Sequence, residues 1–110
     1  MVNELLEQYS VFWVDLNPTK ESEMARVRPC VILSPTEINK RFLTVITAPI
    51  TNTDLGLPTR QQIKVKDITG YVALDQMRAL DKSRFLNKAG MLSSGEVKAI
   101  KGIIKEYLVD

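Results

Sequence analysis

Along the first two thirds of the chain, apolar residues come in short clusters separated by residues that interrupt extended structure. Val11–Leu16, Pro29–Leu33, Leu43–Pro49, Gln62–Lys66 and Tyr71–Asp75 are each rich in Val, Ile, Leu or aromatics and bounded by Pro, Gly, Asn, Asp or Ser, which is the pattern of β-strands. Asn17-Pro18 and Ser34-Pro35 mark two of the strand ends. Short strands at this spacing predict a small barrel rather than alternating βαβ units. Thr36–Arg41 and Asp81–Leu86 read as short helices. The last segment changes period. Ser93-Ser94-Gly95-Glu96 has the form of a capping box with Ser93 as N-cap. Val97, Ile100, Ile103, Ile104, Tyr107 and Leu108 then recur at three- and four-residue steps. That stripe predicts an amphipathic C-terminal helix packed on the barrel, with Lys98, Lys101 and Lys105 on its solvated side. The fold class is therefore α+β, mostly β.

Two loops, Thr19–Val27 and Ile50–Arg60, carry polar and charged residues that no strand pattern explains. Binding residues concentrate on loops held by a rigid scaffold, and both loops follow a strand end, where they can border one face. At 110 residues the chain makes one domain, 1–110, with 45% apolar residues for its core. No apolar run approaches the roughly 20 residues of a membrane span. Met1–Ser10 carries Glu4 and Glu7 and no basic residue, unlike a secretory signal, so a cytoplasmic protein is expected.

The reactive inventory is narrow. There is one cysteine, Cys30, and no histidine. A lone cysteine makes no intrachain disulfide, and a zinc site needs several N or S ligands. Histidine triads, histidine–zinc sites and histidine acid–base pairs are excluded. Chemistry has to run on carboxylates, Arg or Lys, and hydroxyls. The net charge of +2 is small, but residues 1–39 hold six acids against three bases and residues 40–110 hold twelve bases against seven acids. A basic half can attract phosphate, though such asymmetry is more often plain surface charge.

One ordered set of residues changes the picture. Val11–Leu33, with Trp13-Val14-Asp15-Leu16-Asn17-Pro18-Thr19, then Ser22-Glu23, then Arg28-Pro29, resembles the N-terminal signature of the MazF/PemK/Kid toxins. Leu33-Ser34, Asn39-Lys40-Arg41, Ala48-Pro49-Ile50-Thr51, Leu57-Pro58-Thr59, Leu74–Asp81 and Leu92-Ser93 continue the match in order. It runs over roughly residues 8–108; each piece is weak alone and the ordered set is specific.

The resemblance implies an SH3-like barrel of five or more strands with a C-terminal helix, usually a homodimer. It implies metal-independent, sequence-selective cleavage of single-stranded RNA (messenger, ribosomal or transfer RNA) that leaves a 2′,3′-cyclic phosphate and a 5′-hydroxyl, with no cofactor. It also implies a cognate antitoxin whose C-terminal segment lies over the RNA groove. Position by position, Arg28 matches the family's catalytic arginine and Thr51 its catalytic threonine. Glu23 matches a loop glutamate implicated in activity, and Asp75 a position given an acid–base role in the Kid branch. Asn17, Thr19, Lys20, Ser22, Arg26, Asn52, Thr53, Gln76 and Arg78 are the implied RNA contacts. The chain departs from the family at Ala73, where the Kid branch has arginine, and at Ser22, where some members have histidine, so the Arg28/Thr51 pair is favoured over a Kid-type set. Tyr9 stands where the family usually has glycine, and Glu21–Arg26 replaces a glycine-rich loop.

The implied chemistry suits the inventory. With the RNA's own 2′-hydroxyl as nucleophile, neither a metal nor an enzyme nucleophile is required. An arginine fork can hold two phosphate oxygens at once, and a threonine can donate to the same group. Glu23 or Asp75 is left to accept the proton, which requires a carboxyl raised toward neutrality. Two other readings stay open on sequence: a CcdB-type gyrase poison built on the same barrel, and a relative that binds RNA or antitoxin without cutting.

Overall fold

The computed structural model describes residues 4–16 and 26–110. Its strands are β1 (Ser10–Asp15), β2 (Val27–Ile32), β3 (Thr44–Thr51), β4 (Arg60–Val65), β5 (Ile68–Ala73), β6 (Arg78–Asp81) and β7 (Phe85–Met91), and its helices are α1 (Thr36–Arg41) and α2 (Ser94–Ile104). They pair in the order β4-β5-β3-β2-β1-β7, with β6 also on β3, and every pairing is antiparallel. The sheet curls into a half-barrel. Its two ends meet where a Cβ added at Gly90 of β7 would lie 2.5 Å from the Val65 Cγ1 of β4; the glycine leaves room for that buried side chain.

The expected capping box is present, and it does more than start α2. One Glu96 oxygen accepts from the Ser93 N–H at 2.8 Å, while the other accepts from the Lys64 N–H of β4 at 2.8 Å. A single carboxylate thus joins the helix start to the barrel's open edge. Ile100, fully buried, carries the helix into the core beside Val11, Val31 and Val72.

Strand alternation sends successive side chains to opposite faces, and both faces are covered. Val11 and Val31 enter the core shared with α2, whereas Phe12, Val14, Cys30 and Ile32 enter a second core with Val45, Leu80 and Phe85. Phe12 and Phe85 meet edge to face, with centroids 5.9 Å apart at 74°. Phe12 is therefore the inward aromatic, and Trp13, half-buried, turns to the other side.

Two signature residues prove structural. Buried Asn39 of α1 accepts from the Ser34 hydroxyl at 2.6 Å and donates to the carbonyls of Leu6 at 2.8 Å and Ser34 at 3.0 Å. The Ser34 hydroxyl also accepts from the Ile46 N–H at 3.0 Å. The network ties the N-terminal segment, α1 and β3 together, with no buried amide hydrogen wasted.

The C-terminal third departs from expectation. Instead of a helix over Asp81–Leu86, a single 3-10 turn, Lys82–Arg84, capped by the Asp81 carboxylate, separates β6 from β7. β6 has only four residues, too few to show a period. β7 is an edge strand whose pairing with β1 shifts register between Val11 and Phe12 and again between Trp13 and Val14, and such bulges erase the alternation that would have betrayed it. Asp75 lies in a 3-10 turn, Leu74–Gln76, rather than at the end of a strand.

Where the resemblance led one to expect glycine, Tyr9 adopts φ +68°, a left-handed conformation costing an L-residue about 1–2 kcal/mol. Its ring packs on the core and lies 5.9 Å beneath the Lys101 ammonium. Tyr9→Ala removes the ring and keeps the strain, whereas Tyr9→Gly removes both. We therefore expect Tyr9→Gly to be more stable than Tyr9→Ala by about 1 kcal/mol in urea unfolding, reversing the usual order of Ala over Gly in regular structure. Equal stabilities would show that the backbone at residue 9 is unstrained.

Candidate active site

The β2–β3 ladder runs Ile32–Thr47, Val31–Ala48, Cys30–Pro49 and then stops. A proline has no N–H to donate and breaks a ladder wherever one is needed. Leu33 donates to Ile46 of β3 at 2.8 Å, so alternate residues of β2 bond to β3, and the next donor due beyond the Cys30–Pro49 rung is Pro29, which is paired only with Trp13 of β1. Past this point the two strands bound a cleft. Carried two residues further, the same register sets Arg28 of β2 across from Thr51 of β3.

The cleft has a volume of about 720 Å³, and Arg28 and Thr51 both line it. Asn52 and Thr53 extend one wall, while Gln76 approaches from the turn after β5 and Arg78 from the start of β6. Six of the residues expected at the site are thus brought together. The lining contains two arginines and, among the described residues, no carboxylate. An acid-free concavity with two guanidinium groups suits an anion.

Thr51 is held from two sides. Its hydroxyl oxygen accepts from the Thr53 N–H at 3.2 Å, which leaves the hydroxyl hydrogen available to an acceptor in the cleft. Behind it, a Cβ on Gly70 would sit 2.7 Å from the Thr51 carbonyl oxygen, so β5 can press against this residue only through a glycine. Arg28 is exposed and donates to the Val27 carbonyl at 3.2 Å.

Asp75 requires a correction. It does not line the cleft. Its two oxygens accept from Arg60 Nε at 2.8 Å and Nη2 at 3.1 Å, and Oδ1 also accepts from the Thr59 hydroxyl at 2.9 Å. The Arg60 hydrogen bonds hold its carboxyl well below the ordinary 3.8, at about 2. A general base at neutral pH needs the opposite shift, so Asp75 is a structural anion. Arg26 is exposed and lies outside the lining. Asn17, Thr19, Lys20, Ser22 and Glu23 fall outside the described residues.

Several lining residues escaped sequence reasoning. Ile68 and Thr69 of β5 reach the cleft, but that strand was expected to start only at Tyr71. Trp13, by contrast, is one of two alternating aromatics of which the sequence expects one in the core and the other free to stack on a base or a dimer partner; Phe12 is buried and Trp13 lines the cleft. Cys30 lies at its floor, where burial pushes the thiol up to about 12, partly opposed by Arg78. A thiol so rarely ionised is a poor nucleophile. Among the described residues no group of three or more Cys, Asp or Glu is placed to hold a metal ion.

Known proteins share this chain's pattern and its shape. A family model, PemK-like, MazF-like toxin of type II toxin-antitoxin system, matches residues 7–108. The endoribonuclease toxin MazF of Escherichia coli strain K12 is 32% identical over 95 residues, which cover 86% of each chain. Among solved structures, MazF in a MazE–MazF crystal from Deinococcus radiodurans superposes with a TM-score of 0.82 at 20% identity, covering 96% of this chain and 97% of that one. An endoribonuclease in complex with its cognate antitoxin from a mycobacterial species gives 0.78 at 22% identity, with 93% of each chain covered. The half-barrel with its C-terminal helix is therefore a MazF-like fold.

The depressed Asp75 carboxyl has a measurable consequence. A carboxyl lowered on folding lends stability that is fully present above its unfolded value and lost as pH falls through the folded one. The window here runs from about 3.8 down to about 2. The paired variant Arg60→Gln/Asp75→Asn lacks this group, so its urea midpoint should fall less than the wild type's over that window. Parallel curves would remove the Arg60 pairing as a source of acid sensitivity.

Proposed function

The chain belongs to the PemK-like, MazF-like endoribonuclease toxins of type II toxin-antitoxin systems, and from that premise we propose that it cuts single-stranded RNA in the cleft between β2 and β3, with the RNA's own 2′-hydroxyl as nucleophile. The observation that carries this reading is the meeting of Arg28, Thr51 and Arg78 around one concavity that no described carboxylate lines.

In this mechanism the phosphodiester backbone enters the cleft with its scissile phosphate between Arg28 and Thr51. The Arg28 fork binds the non-bridging oxygens and stabilises the charge that grows on them as the 2′ oxygen attacks. The Thr51 hydroxyl, its oxygen already engaged by the Thr53 N–H, donates its hydrogen to the same phosphoryl group. The 2′ oxygen bonds to phosphorus and the bond to the 5′ oxygen breaks, giving a 2′,3′-cyclic phosphate and, once that oxygen is protonated, a 5′-hydroxyl. Of the two carboxylates considered as proton acceptor, Asp75 is held as an anion by Arg60, which leaves Glu23 in that role. Trp13, Asn52, Thr53, Gln76 and Arg78 contact the flanking nucleotides, with Trp13 offering a ring for a base to stack on. No step calls for a metal ion.

The same cleft is where a cognate antitoxin acts: a segment lying over it excludes RNA and silences the enzyme. The mycobacterial relative solved with its cognate antitoxin supports such a partner. We also assign the chain to a homodimer and to the cytoplasm. No helix among the described residues is long and apolar enough to cross a membrane.

Purified protein, incubated in EDTA with a mixed-sequence single-stranded RNA, should yield fragments with cyclic-phosphate and 5′-hydroxyl ends. The matching DNA, which lacks the 2′-hydroxyl, should remain intact. Arg28→Ala should slow cleavage about 10²–10³-fold, the usual cost of removing a preorganised donor. Products with 5′-phosphate ends, or an Arg28→Ala enzyme as fast as the wild type, would sink the mechanism. Gyrase inhibition with RNA left intact would transfer the chain to the gyrase-poison reading.

A further inference from the structure

The side chain of Arg60 is only 4% exposed, and the mechanism above gives it no task. Each of its three guanidinium nitrogens is nonetheless engaged. Nε and Nη2 grip the two oxygens of Asp75, while Nη1 donates to the Thr53 carbonyl at 2.6 Å. A guanidinium is planar, so fixing two of its nitrogens on a carboxylate fixes the direction of the third. We propose that Arg60 is a positioning residue for Thr51, holding the backbone of residues 51–53 so that the Thr51 hydroxyl is aimed into the cleft.

The connection is continuous and short. Asp75 sits next to Leu74, which is fully buried and whose N–H donates to the Thr59 carbonyl at 3.0 Å. The Thr59 hydroxyl donates in turn to Asp75. This end of the chain of contacts is anchored in the core. At the other end lies an exposed loop, residues 52–58, in which Leu55 and Gly56 both have positive φ. Arg60 reaches from the anchor to that loop at one atom, the Thr53 oxygen. The same residue's N–H holds the Thr51 oxygen at 3.2 Å. Residue 53 therefore transmits the position of a half-buried ion pair to the alcohol that faces the phosphate. A lysine at 60 has one nitrogen and cannot span both partners.

This inference rests on the reading of Thr51 as a phosphate donor, and a double-mutant cycle tests the two separately. Cleavage of a single-site RNA is measured for wild type, Thr51→Val, Arg60→Gln/Asp75→Asn, and the combination. The paired substitution leaves neither charge without its partner. Arg60→Lys passes through the same cycle and decides the matter if circular dichroism shows that the pair fails to fold. We expect the Arg60 changes to lower kcat about 10- to 100-fold, the scale of a misplaced catalytic group, with KM little altered because Arg28 still binds the phosphate. In the Thr51→Val background the same changes should cost less than about twofold, since the group they position is gone. Losses that multiply across the two backgrounds, or Arg60 variants with wild-type kcat, overturn the positioning role. Full activity in Thr51→Val alone overturns the Thr51 assignment and this inference with it, and is recognised because Arg60 is untouched in that protein.

Discussion

The cleft proposed as the active site exists because one ladder of hydrogen bonds stops. β2 and β3 are joined for three rungs, and the next residue of β2 due to donate to β3 is Pro29, which has no N–H. Continued pairing would have placed Arg28 and Thr51 on a closed sheet with no room between the strands for a ligand. β3 is also the strand that most of the sheet leans on. It pairs with β2 along one edge, and along the other with β6 at Thr44–Thr47 and β5 at Ile50–Thr51. Ala48 and Pro49 fall between those two partners, where proline leaves no ladder bond unmade. Pro49 therefore costs the sheet no bond on that edge, and the interruption beside the cleft lies at Pro29.

Charge is distributed to the same end. The described lining of the cleft holds arginines and hydroxyls and no acid. Asp75, next to Gln76 of that lining, is engaged by a fork of Arg60 hydrogen bonds rather than left to compete with a phosphate for Arg28 or Arg78. A preorganised cationic pocket stabilises developing negative charge without reorganising at the moment of reaction, and neutralising the adjacent carboxylate is part of that preorganisation. The buried thiol of Cys30 belongs to the same design. It contributes volume to the second core and to the floor of the cleft, while burial keeps it protonated.

Much of this is legible in the sequence, and the failures have physical causes. Five strands, α1 and the capped α2 follow from short apolar clusters and from the Ser93–Glu96 spacing. β6 and β7 do not, because one is four residues long and the other is bulged against β1. At the site, Arg28, Thr51, Asn52, Thr53, Gln76 and Arg78 are identified by resemblance, and the fold gathers them. Asp75 is identified by the same resemblance, but the fold sets it against Arg60 and Thr59 rather than in the cleft lining. Its role depends on Arg60, fifteen residues away in sequence at the start of β4, and nothing in a linear pattern announces that this arginine will fold onto a particular carboxylate. Thr69 is invisible for a related reason: its contribution depends on where β5 begins, and strand boundaries are the weakest part of any reading by pattern.

A family signature mixes residues that act with residues that merely hold, and only the contacts separate them. Ser34 and Asn39 match the signature as well as Arg28 does, yet they are buried and saturated with hydrogen bonds to Leu6, Ile46 and each other, so no ligand can reach them. Tyr9 makes the same point through a departure. Where glycine was expected, the backbone still takes the left-handed turn that glycine favours, and an aromatic ring packed on the core offsets the strain. The turn matters more than the residue. It lets the Tyr9 N–H donate to Ile32 of β2 at 2.7 Å, while the Tyr9 carbonyl accepts from Leu92 beyond β7 at 3.0 Å. One residue thereby fastens β1 to the strands on either side before the sheet curls toward α2. Arg28 and Thr51 are of the opposite kind, since they line an open cleft where a ligand can meet a guanidinium and an alcohol together. Groups that the fold leaves within a ligand's reach, rather than sealing into core or ladder, are the ones available for chemistry.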